Sequence, residues 1–422
     1  MDQFEIEGPC RVAGTVRVSG AKNAVLPLMA ATLLARGESR IHNVPDLRDT
    51  RTMASVLETL GAKTRREGDS LIVDTSRAEG TEAPYELVKT MRASIYVLGP
   101  LLAARRQARV SLPGGCAWGP RPVDLHLKGM EALGASIELD AGYIVASASR
   151  GLRGCEITFD PSSVGATANV LMAAVLARGT TVLENAAREP EVTQLAEALV
   201  CMGATIDGIG TTTLTVEGVE VLEPMDIRVI PDRIEAGTFL AAAAMLRSKL
   251  VVEDVRADHL TSTISALREC GCAVTDQGDS IEIDGSQAAE PFNIVTRPFP
   301  GFATDMQAQM MAVACGLDGI SVLRDTIYPD RFTHVAELRR LGADIRLDGN
   351  SAVVRGVARL RGAEVMATDL RASAALIIAG LAAEGSTRLH RVYHIDRGYE
   401  RIEEKLRAIG AKIRRVPGPP TP

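Results

Sequence analysis

Aromatic side chains are scarce in this sequence: they make up 3% of 422 residues, with seven Phe, six Tyr and a single Trp. A surface that holds single-stranded nucleic acid stacks bases on exposed aromatics, so the composition speaks against that class. Cations are outnumbered too, 47 Lys and Arg against 53 Asp and Glu, and the net charge of −6 argues against nonspecific binding to a phosphate backbone. No apolar run approaches the ~20 residues that span a bilayer. The longest, Ala372 to Ala383, is closed by Glu384 and Gly385 and reads as a buried helix. The opening MDQFEIEG lacks the basic start and apolar stretch of a signal peptide. Seven cysteines is an odd number, and no CxxC pair occurs, only Cys270 and Cys272. Neither a disulfide framework nor a zinc site is therefore expected, and the expected compartment is a reducing cytoplasm. Nucleic acid, membrane, metal and cofactor are all absent from the expected partners.

What is present is a globular composition, 46% hydrophobic and 24% charged, in a length that predicts two or three domains of roughly 100–200 residues. The dominant feature is repetition. A helical pattern that ends in Gly and leads into short strands recurs as LETLGAKTRREGDSLIVD, MEALGASIELDAGYIVAS, LVCMGATIDGIGTTTLTV, LRECGCAVTDQGDSIEID, LRRLGADIRLDGNSAVVR and LRAIGAKIRRVPG. Gly61, Gly134, Gly203, Gly271, Gly342 and Gly410 are spaced by 73, 69, 68, 71 and 68 residues. Glycine just past a helix takes the left-handed cap that stops it, and turns such as EGD, DAG and DGN predict a hairpin next. Upstream of each glycine lie an Ala-rich helix and a strand, LMAATLLARGESRIHNV in the first copy and LIIAGLAAEGSTRLHRV in the last. Ala lets a helix sit close to a sheet, so these helices are expected inside and the Glu- and Arg-bearing ones nearer solvent. Units of about 70 residues are too large for a thin solenoid and predict two globules of three copies. The expected domains are 22–229, and 1–21 with 230–416, with 417–422 a disordered tail. The short last copy leaves room for the N-terminal strands in the second globule, which implies two chain crossings and a ligand cleft between the globules.

Candidate site residues stand where a copy departs from the pattern. The outer helices begin 13 residues before their glycines, where the copies hold Arg48, Arg121, Pro190, Asp258 and Arg397, with Arg331 slightly closer to its own. Arginine at a helix N-terminus opposes the macrodipole by about 0.3–1 kcal/mol. It is a poor structural choice there and a good anion ligand. Surface pairing is the alternative, and it fits Arg48, which precedes Asp49. The loops entering the Ala-rich helices place Lys22, Arg92, Arg233 and Arg371 in a second frame, with the carboxylates Asp305 and Asp369. Asp369 reads as an N-cap; for Asp305, in PGFATDMQ after a Pro-Gly turn, cap and base are both open. One loop departs furthest: SLPGGCAWGPRPVDLHLKG holds the only Trp, with Cys116 directly after Gly114 and Gly115. An accessible thiol beside cations acts as acid or nucleophile. Cys155, Cys201, Cys270, Cys272 and Cys315 are instead expected as buried small hydrophobes. His126 is expected behind the site or on a helix surface, not as a metal ligand. These residues describe a two-domain enzyme for highly anionic substrates without naming the substrate.

In SGAKNAVLPLMAATLLA, MRASIYVLGPLLA, GGCAWGPRPVDLH, SSVGATAN, PGFATDMQAQ, TDLRASAALIIAG and HIDRGYERIEEKLRAIGA, the chain resembles the enolpyruvyl transferases, specifically those that use UDP-N-acetylglucosamine. The resemblance runs in order from about residue 4 to 415. It implies an α/β fold like that of EPSP synthase: two inside-out α/β prisms, each of three βαβαββ repeats. It also implies enolpyruvyl transfer from phosphoenolpyruvate to the sugar 3-hydroxyl, with release of phosphate, as the first committed step of peptidoglycan synthesis.

By the same resemblance, Cys116 is the general acid and the thiol that fosfomycin alkylates, and Asp305 lies against the 3-hydroxyl as the base. Lys22, Arg121 and Arg397 match residues that gather the phosphate, with Asn23 on the same loop as Lys22. Arg331 and Arg371 match cations near the phosphoenolpyruvate carboxylate, and Asp369 supports them. Arg92, the run Arg121, Pro122, Val123, Asp124 and Leu125, then Ser162, Ser163, Val164 and Gly165, and Ile327 match contacts to the nucleotide sugar. The implied cleft closes on its ligands with the Cys116 loop as lid. Trp118 and Pro120 depart from the smaller aliphatic residues common there. Two other readings stay open at this point: the sister enzyme acting on shikimate 3-phosphate, and a non-catalytic ligand-binding scaffold.

Overall fold

The computed structural model describes residues 2–89, 91–112 and 123–418. Cys116, Arg121 and Pro122, with Trp118 and Pro120, lie outside the described residues, as do 419–422 of the expected tail. Pro417, placed in that tail from the sequence, instead ends the strand Ile413–Pro417.

The six repeated glycines stop their helices as their spacing predicts. Each follows a helix with φ between +92° and +105°, a region a side chain would strain. In the first copy Gly61 N donates to Glu58 O at 2.9 Å and Ala62 N to Leu57 O at 3.0 Å, satisfying carbonyls that the helix end orphans. The hairpin that follows joins a mixed sheet. In the third copy Glu156–Thr158 runs parallel to Thr180–Glu184, which pairs antiparallel with Thr213–Glu217, and that in turn with Thr205–Asp207. All six sheets have four strands and this same order. Within Thr180–Glu184, Thr181 and Leu183 are buried while Thr180 and Glu184 are exposed, so one face of the sheet is covered.

The chain divides into two compact units, one of residues 1–19 and 231–422, the other Gly20–Ile230. Inside the second unit the helices Leu98–Arg105 and Val164–Ala174 pack together. Glycine permits the close approach: a Cβ on Gly99 would lie 2.3 Å from Asn169 O, and one on Gly129 2.4 Å from Val170 Cγ2. In the other unit the Ala-rich helices Arg233–Met245, Gln307–Ala314 and Leu370–Ala382 pack on one another, almost wholly buried. The longest apolar run of the sequence is the last of these.

Sheet closure differs from the simple repeat in two ways. The strand Asp2–Gly8 completes the sixth copy's sheet, antiparallel to both Gly385–His390 and Ile413–Pro417, and buries Phe4 and Ile6 completely. The strands that lead into the first and fourth copies are also exchanged. Thr15–Arg17 runs parallel to Lys249–Glu253 of the fourth copy, and Asp226–Arg228 parallel to Glu38–His42 of the first. The chain passes from unit to unit directly after each of these strands, so each strand stays with the unit it came from. Two cysteines expected to be buried are not: Cys201, the last residue of the helix Pro190–Cys201, is exposed on its outer face, and Cys155 is half-buried.

Candidate active site

Asp305 is not a helix cap. It lies in the 3-10 turn Thr304–Met306 ahead of Gln307–Ala314, and neither element has a side-chain cap hydrogen bond. Oδ1 accepts from Arg331 Nη1 at 2.7 Å and Oδ2 from Arg371 Nη2 at 2.8 Å. Both guanidinium side chains are nearly inaccessible, at 5% and 3%, whereas Asp305 keeps 26% of its side chain exposed. Burial alone would raise this carboxyl, but Arg371 and Arg331 outweigh it and hold Asp305 well below the usual carboxylate range. The result is an ionised, reachable carboxylate between two fixed cations.

Local structure explains why the arginines stand there. Asp369 caps the helix Leu370–Ala382 by accepting from Arg371 N at 2.8 Å and Ala372 N at 3.0 Å. That fixes the backbone from which Arg371 projects, and its guanidinium lies 5.6 Å from the Tyr399 ring centroid. Behind it, the Tyr399 hydroxyl is 2.8 Å from Thr238 Oγ1 and accepts from Gln309 Nε2 at 3.3 Å. Among the described residues, the buried Arg371 Nη1 has no hydrogen-bond partner, and a buried donor left open is costly. Arg331 also donates to Thr304 Oγ1 at 3.1 Å. Ile327, half-buried, is held by its N–H to Asp325 Oδ1 at 3.0 Å.

Arg397 closes the 3-10 turn Val392–Arg397. Its neighbour Asp396 is clamped by Arg415 at 3.0 and 2.6 Å, and Arg415 also donates to Glu403 at 2.6 Å, so the turn is tied to the last strand.

In the unit Gly20–Ile230, Lys22 and Asn23 open the helix Lys22–Ala31. Lys22 Nζ lies 3.0 Å from Asp49 Oδ2, and Asp49 is buried in the first turn of Arg48–Thr59. The acid next to Arg48 thus reaches across to Lys22. Arg92 opens the 3-10 turn Arg92–Val97. Val123 precedes the helix Asp124–Ala132; Asp124 stands 3.7 Å from Lys128 on the surface, and Leu125 packs against the core. Ser162 and Ser163 precede Val164–Ala174, where Ser163 Oγ accepts from Ala166 N at 3.3 Å and caps the helix. Of the two places expected for His126, the helix surface is not the one it takes. It is buried, with Nδ1 3.0 Å from Asn169 Nδ2, and a Cβ on Gly165 would stand 3.0 Å from its Nε2. His126 therefore lies directly behind the backbone at Gly165.

The family described as EPSP synthase (3-phosphoshikimate 1-carboxyvinyltransferase) matches residues 6–406. UDP-N-acetylglucosamine 1-carboxyvinyltransferase from Trichlorobacter lovleyi is 52% identical over 99% of this chain and 100% of its own length. The protein of that name from Cellvibrio japonicus is 54% identical over 99% and 100%. The chain belongs to the enolpyruvyl transferase family. Among solved structures, the enolpyruvyl transferase NikO from Streptomyces tendae superposes with a TM-score of 0.91 at 28% identity, covering 99% of each chain. EPSP synthase from Acinetobacter baumannii, with a TM-score of 0.75 and 18% identity over 99% and 100%, bears on the fold alone. The fold is thus the EPSP synthase-like one, with six four-stranded mixed sheets.

Within this enolpyruvyl transferase, the structure brings together Asp305, Arg331, Arg371 and Asp369 in one unit, and Ser163, Gly165 and the helix after Val123 in the other. Sequence reasoning missed Asp325, His334, the Asp396–Arg415 clamp and the contact of Asp49 with Lys22. His334 is buried, its Nε2 has no hydrogen-bond partner among the described residues, and burial pushes it down to about 4 despite nearby Asp369. Among the described residues, no group of three His, Cys, Asp or Glu stands close enough to hold a metal ion. Nor is any described helix long and apolar enough to cross a membrane.

Proposed function

We propose that the protein transfers the enolpyruvyl group of phosphoenolpyruvate to the 3-hydroxyl of UDP-N-acetylglucosamine and releases phosphate, the first committed step of peptidoglycan synthesis, in the cytoplasm. One observation carries the reading: an ionised, partly exposed carboxylate, Asp305, between two buried arginines, in a chain whose full-length relatives bear that activity in their name. The 3-hydroxyl loses its proton to Asp305 as its oxygen attacks C2, and Cys116 delivers a proton to C3. The tetrahedral ketal then collapses: a proton passes from C3 back to the Cys116 thiolate, the C2–O bond to phosphate breaks with its electron pair leaving on phosphate, and the enol ether remains.

Lys22, Arg121 and Arg397 serve the phosphate, with Asn23 beside Lys22, and Arg331 and Arg371 serve the carboxylate. Fixed cations of this kind stabilise charge developing on the leaving group without reorganising during reaction. The convergence of both guanidinium groups on Asp305 supports that assignment. Arg92, Pro122 to Leu125, Ser162 to Gly165 and Ile327 hold the nucleotide sugar. Fosfomycin is opened by the Cys116 thiolate to a stable thioether.

Acceptor choice tests this reading against the sister activity. Phosphate release from phosphoenolpyruvate is expected with UDP-N-acetylglucosamine and not with shikimate 3-phosphate; the reverse preference overturns it. Cys116→Asp is expected to keep turnover and to lose fosfomycin sensitivity, since a carboxylic acid can deliver the proton but is not alkylated in the same way.

A further inference from the structure

The residue directly after the inner strand has the same task in most copies. Asn43, Asn185, Asp254 and Arg391 occupy that place with φ of 57°, 50°, 58° and 59°. Three of them tie down the neighbouring edge strand: Asn43 Nδ2 donates to Val229 O at 3.0 Å, Asn185 Nδ2 to Phe159 O at 2.7 Å, and Asp254 accepts from Arg17 at 2.8 Å. In the fifth copy the place is held by Asp325, after Ile320–Arg324, and it lacks the positive φ of the others.

Asp325 performs the shared task and then more. Its Oδ1 accepts from Thr296 Oγ1 at 2.8 Å, beside the edge strand Asn293–Val295, as the frame requires. The same oxygen also accepts from Ile327 N at 3.0 Å and Tyr328 N at 2.8 Å, while Oδ2 accepts from Thr304 Oγ1 at 2.7 Å. The side chain is wholly buried. Its own backbone is pinned, with N donating to Asn350 O at 2.9 Å and O accepting from Asn350 Nδ2 at 3.1 Å. Thr304 is the neighbour of Asp305 in sequence, and its hydroxyl also accepts from Arg331 Nη1 at 3.1 Å. One rigid carboxylate therefore grips both the turn that carries Asp305 and the loop that runs through Ile327 and Tyr328 to Arg331. The strand-end tie needs only the bond from Thr296; the bonds from Thr304 and from two successive backbone N–H groups go beyond it.

We propose that Asp325 is a positioning residue for the transfer reaction, setting the distance between Asp305 and Arg331 and the register of Ile327 through Thr304 and the 327–328 backbone. The proposal rests on the assignment of Asp305 and Arg331 given above. Replacing the carboxylate by an amide keeps an acceptor oxygen for the three bonds on Oδ1 but puts an N–H where Oδ2 accepts from Thr304, so the Thr304 hydroxyl has to turn from donor to acceptor. A displacement of reacting groups by about 1 Å lowers turnover by up to about a hundredfold.

The test uses the full chain with phosphoenolpyruvate and UDP-N-acetylglucosamine, reading phosphate release and melting temperature for Asp325→Asn, Thr304→Val, Thr304→Ser and the Asp325→Asn/Thr304→Val pair. Thr304→Val is expected to lower kcat by about tenfold or more without a matching loss of melting temperature, and Thr304→Ser to restore most of that loss by returning the hydroxyl. The double variant is expected within about threefold of the more damaged single one, because both cut the same link. A Thr304→Val enzyme within about twofold of the parent, or a folded double variant whose losses multiply, overturns the proposal. If Asp325→Asn does not fold, the Thr304 pair decides alone. Asp305→Asn separates the two levels: full activity in that variant refutes the assignment of the base, whereas its inactivity beside an unaffected Thr304→Val refutes only the positioning.

Discussion

Between Arg331 and Arg371, Asp305 stays charged far into acid, and this governs what its replacement does. Asp305→Asn keeps size and one acceptor oxygen but removes the charge, so kcat is expected to fall by about 10²–10⁴ with the fold intact, as removal of a general base does. Steady-state phosphate release checks this, and a loss under about tenfold contradicts the base role. His334 behaves in the opposite sense to a paired histidine. Its folded value is depressed to about 4, so the neutral ring is at no disadvantage above the unfolded value. As pH falls from about 6.5 toward 4, the unfolded chain takes up a proton that the buried ring refuses, and stability drops by up to about 1.4 kcal/mol per pH unit from this group. Denaturant titrations between pH 7 and 4 are expected to show a shallower decline for His334→Gln than for the parent; parallel curves contradict it. Asp369, Arg331 and Asp325 surround this ring and contribute opposing influences. At this scale the cations stood out as candidates, because a positive charge at a helix N-terminus is a poor structural choice, whereas Asp305 did not, because a carboxylate there serves equally well as a cap. The partners of these residues were not legible: Asp49 meets Lys22 and Asp325 meets Thr304 only once strands distant in sequence are paired.

Elements met their expected boundaries wherever a glycine forced them. Gly61 and its five counterparts mark helix ends from sequence alone because left-handed backbone there disfavours side chains. Gly99 is a different case, legible only in the structure, where the Cβ of any other residue would sit 2.3 Å from Asn169 O. Gly99→Ala is expected to destabilise the unit Gly20–Ile230 by roughly 1–3 kcal/mol through overpacking. Thermal unfolding checks it, and an unchanged midpoint would mean the two helices separate without strain. Asp369→Ala removes a cap worth about 1 kcal/mol and frees the Arg371 backbone at the same time. Its kcat is therefore expected to fall more than the modest stability loss suggests. The expected domain bounds already placed Thr15–Arg17 in the second globule and Asp226–Arg228 in the first; their particular partners, Lys249–Glu253 and Glu38–His42, came only from the structure.

For the whole chain, an average charge of −6 had pointed away from anionic ligands, while the buried arginines beside Asp305 point toward them. Composition reports the surface; sites are set by a few side chains whose burial no average records. The N-terminal strand has a similarly large effect for its length. Deleting residues 1–8 takes Phe4 and Ile6 from the core, leaves Ile413–Pro417 without its strand partner and leaves Gly385–His390 paired on one side only, with Glu364–Met366, a loss of roughly 3–6 kcal/mol from the two side chains alone. Hydrogen exchange is expected to show lost protection across 231–418 with protection in 20–230 retained, and equal protection in both would contradict the division. The most direct measurement of the central claim is mass analysis of the product formed from phosphoenolpyruvate and UDP-N-acetylglucosamine, alongside phosphate release. The account predicts an enolpyruvyl ether of the nucleotide sugar formed one-for-one with phosphate and abolished after fosfomycin treatment. Phosphate release without that product, or no reaction with this acceptor, would contradict it.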